Sequence, residues 1–66
     1  MATYIIIVTN PIVAQEVMRV ETDNRDLAMI EAAHLSSRHG VARVYEESED
    51  REIACFRYGS EQPYLA

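Results

Sequence analysis

A chain of 66 residues, 48% apolar and 26% charged, has the size and composition of one small globular domain, and its single cysteine, Cys55, excludes an intramolecular disulfide. Folding at this length hides only about 60% of the surface the unfolded chain exposes, so a partner chain is a common supplement to the core. Six arginines against eleven carboxylates give a net charge of −5 at pH 7, which removes the attraction a phosphate backbone needs. No direct contact with nucleic acid is expected.

The opening stretch Met1 to Val8 carries no positive charge, and its apolar run is too short for a signal peptide or a membrane span. A cytoplasmic protein that makes no membrane contact is the expectation, and a lone thiol suits that reducing compartment. Tyr4 to Val8 is β-branched and aromatic on both faces, the pattern of a strand in the middle of a sheet covered on more than one side. Thr9-Asn10-Pro11 then breaks it, because the residue before a proline is driven toward extended or turn conformations.

Residues 11–19 admit two readings. As a helix, Asn10 would cap it, Pro11 would take the first position, and Val13, Ala14, Val17 and Met18 would share a face. As a strand, Glu16 to Thr22 would alternate, with Met18 and Val20 inward and Arg19 and Glu21 outward, and would pair with Tyr4 to Val8. The strand is favoured, since a helix from Pro11 would have to end and restart within a few residues with no glycine at the junction.

Asp23-Asn24 opens the clearest helix: Asn24 is a capping residue, Asp26 complements the first turn, Arg38 and His39 suit the last, and Gly40 ends it. Ala28, Ala32 and Leu35 form its apolar stripe, which Met29, Ala33 and Ile30 widen, while Glu31, His34 and Arg38 form a narrow polar strip. The arc is wider than one sheet face needs, which offers Leu27, Met29 and Ile30 as a face for a homodimer. Val41 to Glu46 and Arg51 to Tyr58 read as strands joined by a polar connection, with Gly59 as the stop. The expected fold is a single α+β domain over residues 1–59, in the order strand, strand, helix, strand, strand. One helix packs on one face of a mainly antiparallel sheet, and residues 60–66 follow as a C-terminal tail.

The patterns of catalysis and of metal binding are missing. His34 and His39 are five apart on the helix, about 140° from each other, so they do not share a metal as residues four apart would. Cys55 lies between Ala54 and Phe56 and reads as a small buried hydrophobe on the same strand face as Ile53. No glycine-rich phosphate loop, serine nucleophile turn or calcium loop occurs. A protein that is not an enzyme and takes no cofactor or metal is expected. The lysine-free set of arginines fits either GC-rich coding or a use for forked guanidiniums.

The densest feature is Glu46-Glu47-Ser48-Glu49-Asp50-Arg51-Glu52, where five carboxylates and one arginine give a local charge of −4, with Tyr45 and Tyr58 on the adjoining strands. One reading is a solvated hairpin tip that keeps a small domain soluble. The other is a negative knob, formed by Glu46, Glu47, Glu49, Asp50 and Glu52 with Tyr45 and Tyr58, that meets a basic groove on a partner protein.

The Tyr4-Ile5-Ile6 opening, the helix segment Ile30-Glu31-Ala32-Ala33-His34-Leu35-Ser36 and the closing acidic hairpin give a small, acidic, lysine-free chain. It resembles several of the small phage-encoded anti-CRISPR proteins. That resemblance implies a stoichiometric inhibitor in the host bacterial cytoplasm. It would occupy the nucleic-acid-handling surface of a CRISPR effector subunit, with acidic side chains imitating phosphates. Those proteins share no diagnostic motif, so no residue role is carried over.

Overall fold

The structure, a computed structural model, describes residues 2–62. Strands β1 (Tyr4–Asn10) and β2 (Gln15–Thr22) form a hairpin, and helix α1 (Arg25–His39) crosses over to a second hairpin, β3 (Val41–Glu46) and β4 (Arg51–Arg57). A two-residue strand, β5 (Ser60–Glu61), closes one edge. The sheet is antiparallel throughout in the order β2-β1-β3-β4-β5, with the helix on one face. This is the expected α+β domain, extended by β5, which takes the first two residues of the predicted tail. Residues 63–66 lie outside the described residues.

Residues 11–14 form a turn and not a helix. The Asn10 side chain accepts a hydrogen bond from the Ile12 amide at 2.9 Å, the Ala14 amide donates to the Asn10 carbonyl at 2.8 Å, and Ala14 takes a positive φ of 55° that leads into β2. An asparagine before a proline thus closes the backbone on itself within four residues. The hairpin register sets Ile6 against Val20 and Val8 against Met18, as the alternation in β2 required.

Tyr4, Ile6 and Val8 of β1, Ala42 and Val44 of β3, and Ala54 and Phe56 of β4 form the buried face, closed by Ala28 and Ala32 of the helix. Small residues one helical turn apart let helix and sheet approach closely. The third buried helix position is Ser36 and not Leu35, which is half-buried at the side of the core. Ser36 is fully buried with both hydrogen-bonding roles filled. Its Oγ donates to the Ala33 carbonyl at 2.9 Å and accepts from the Gly59 amide at 2.9 Å.

Asn24 caps the helix, its side chain accepting from the Leu27 amide at 3.0 Å. At the other end Gly40 has φ 126° and ψ −66°, a conformation reserved for glycine, and an added Cβ would lie 2.4 Å from Pro11 Cδ. The Pro11 ring therefore rests on the glycine itself, and the β1–β2 turn is packed against the helix C-terminus.

Candidate functional site

One face of the sheet is covered by the helix, and among the described residues the other is not covered. β1 is central, as expected, but Ile5 and Ile7 are half-buried on the uncovered face, so this strand is not covered on both sides. The cross-strand registers arrange that open face in three rows, running from β2 to β4. The first is Glu21, Ile5, Tyr45 and Glu52; the second Arg19, Ile7, Arg43 and Cys55; the third Glu16, Thr9, Val41 and Arg57. Arg19 Nη2 lies 3.1 Å from Glu16 Oε1, and Arg43 Nε lies 3.6 Å from Glu52 Oε1. Arg43 holds its proton more firmly than an isolated arginine, first through a hydrogen bond with Tyr45 and then through the charge of Glu52.

Two shallow hollows flank the middle of this face. One, of about 240 Å³, is lined by Thr9, Pro11, Ala14, Val41, Arg43 and Arg57. The other, of about 250 Å³, is lined by Ile5, Ile7, Arg19 and Tyr45 together with Glu46, Glu47 and Asp50 of the hairpin connection. The first is edged by guanidiniums and the second mainly by carboxylates.

The predicted acidic knob divides. Glu47 to Glu49 form a single 3₁₀ turn, and Asp50 closes it in the left-handed region with φ 49° and ψ 48°. The Asp50 amide donates to the Glu47 carbonyl at 3.2 Å, and the Glu47 amide donates to the Thr3 carbonyl at 2.9 Å, which ties the turn to the strand beside it. Residues 47–50 are exposed and Glu46 is half-buried, while Arg51 Nε meets Glu49 Oε2 at 3.1 Å. Glu52 belongs to the open sheet face with Tyr45. Tyr58 does not join this group. It sits with Gly59 in the two-residue β4–β5 turn, both at positive φ, at the far end of β4. Six strand steps of about 3.3 Å separate that end from the acidic turn, roughly 20 Å.

The helix flank offered for a dimer is also reduced. Met29 packs against the core, which leaves Leu27 and Ile30, 45% and 66% exposed. Cys55 is half-buried beside Arg43 on the open face and is not the fully buried hydrophobe its neighbours suggested. Strand alternation accounts for it, since buried Ala54 and Phe56 on either side turn Cys55 to the open face, while a register shift between Val44 and Tyr45 leaves Ile53 unpaired and packed toward the core, so Cys55 and Ile53 do not share a face. Sequence reasoning missed the open face because the arginines that edge it come from three separate strands. The visible signal was their alternation with apolar residues in Val41-Ala42-Arg43-Val44 and Val17-Met18-Arg19-Val20.

Among the described residues no group of three or more His, Cys, Asp or Glu side chains could hold a metal ion, and no helix is long and apolar enough to cross a membrane. Comparison with protein-family models, with curated proteins and with solved structures gives no match for this chain.

Proposed function

We propose that the protein is a stoichiometric, non-catalytic binding protein of the cytoplasm that presents its acidic β3–β4 turn to a basic surface of a partner protein. The observation that supports this reading is the clustering of Glu46, Glu47, Glu49 and Asp50 on one short turn. Backbone bonds at both ends brace it, and Arg51 offsets one of its four charges. A turn whose backbone is already fixed needs no ordering of its chain on meeting a guanidinium-rich groove, whereas a mobile segment must first be ordered. A CRISPR effector subunit, whose target groove is basic because it holds nucleic acid, is the partner that the anti-CRISPR resemblance implies.

The test is a competition. Purified protein is titrated into a panel of guide-loaded effectors with their target duplex, and DNA binding is read by gel shift at low and high salt. Inhibition is expected at equimolar protein. The combined variant Glu47→Gln, Glu49→Gln, Asp50→Asn should inhibit at least tenfold more weakly at low salt, with the difference shrinking as salt screens the contact. No inhibition of any effector would remove the CRISPR partner. A folded variant as potent as the parent would remove the turn as the binding element.

A further inference from the structure

We infer that the uncovered sheet face is a self-association surface, on which a second copy of this chain packs face to face about a twofold axis. Charge selects this occupant. The three rows of the face hold three carboxylates (Glu16, Glu21, Glu52) and three guanidiniums (Arg19, Arg43, Arg57), so the whole net charge of −5 lies outside those rows. Within those rows two copies meet without net repulsion, and the three carboxylates Glu46, Glu47 and Asp50 at one end of the face are met by the guanidiniums at the other. A nucleic acid would gain nothing from a face with no net positive charge.

The arrangement is also complementary to itself. The hollow edged by Glu46, Glu47 and Asp50 lies at one end of the strands, and the hollow edged by Arg43 and Arg57 at the other. A twofold axis lying in the plane of the face and running across the strands lays the acidic end of each copy over the basic end of the other, the same contact made twice. Ile5 and Ile7, two steps apart on the central strand, then meet the same pair from the second copy, which completes the cover that β1 lacks in the single chain. The helix flank supplies two exposed side chains, Leu27 and Ile30, with no charge pattern of this kind.

The experiment is sedimentation of the full chain across a concentration series, with thiol labelling of Cys55 in the same samples. A dimer is expected, and Cys55 should label at least tenfold more slowly at concentrations where the dimer forms. Ile7→Glu should raise the dimer dissociation constant at least a hundredfold. Arg57→Glu, an exposed substitution that keeps the fold should Ile7→Glu lose it, should raise it about tenfold, and Ile30→Glu should leave it unchanged. A monomer at every concentration overturns the inference. So does a dimer that ignores Arg57→Glu, or one broken by Ile30→Glu. The outcome is separate from that of the acidic turn, because an Ile7→Glu monomer still carries all four turn carboxylates into the competition assay.

Discussion

At the helix C-terminus two turns converge on Ser36 and Gly40. Pro11 rests on the glycine, the Tyr58 amide donates to the Gly40 carbonyl at 2.8 Å, and the Gly59 amide reaches the buried Ser36 hydroxyl. At the opposite end, beside the helix N-terminus, the β3–β4 turn is anchored by one backbone bond within itself and one to Thr3, and stands in water. One end is built from close approach and buried polar pairing, the other from exposed charge. The first leaves little freedom in residue choice. The second leaves its side chains available to something outside the chain.

The contrast can be broken most forcefully at Gly40. Gly40→Ala imposes a backbone conformation that costs about 1–3 kcal/mol for any residue with a Cβ, and it drives that Cβ into Pro11. A total loss of about 3 kcal/mol or more is expected in urea unfolding. Adding Pro11→Ala should return part of it, because the steric share is relieved and the backbone share is not. Ser36→Ala comes next. It leaves the Gly59 amide without its partner beneath the β4–β5 turn, an expected loss of about 1–3 kcal/mol, with faster hydrogen exchange at Gly59 as the local signature. At the acidic end Asn24→Ala removes the side-chain cap and should cost about 1 kcal/mol by the same unfolding measurement. Neutralising Glu47, Glu49 and Asp50 should move stability least, within about 0.5 kcal/mol, even where it weakens binding tenfold.

How much the sequence could say follows the same division. The helix was readable from Asn24 to Gly40 because caps and stops act locally, and the β2 alternation was readable because one of its faces is buried. Asn10-Pro11 announced the turn, but nothing local revealed that Pro11 would land on Gly40, 29 residues on. Ser36 was passed over for Leu35 because a hydrophobic wheel counts a serine as polar, while its buried hydroxyl is matched by a backbone amide from the far end of the chain. Cys55 was misread for a related reason. Its neighbours Ala54 and Phe56 are buried, so alternation turns Cys55 to the other face, and Ile53, expected on the face of Cys55, is sent toward the core by a register shift that depends on how β3 and β4 pair. The acidic turn was visible as composition. The open face was not, since it exists only once four strands lie side by side.

The central seam of the sheet also sets an order of assembly. β1 and β3 are neighbours, with Tyr4 opposite Glu46 and Ile6 opposite Val44, yet all of β2 and the helix separates them along the chain. Each hairpin closes over a short connection, on a timescale of about microseconds, and the helix forms at least as fast. Joining the two hairpins requires closing a much longer loop before any of its contacts count. The helix shortens that search by drawing the ends of β2 and β3 to a fixed spacing of about 1.5 Å per residue. Of the pairings in the sheet this seam has a far larger loop-closure cost than either hairpin, and Ile6, Val8 and Val44 leave water for good only once β1 and β3 have met.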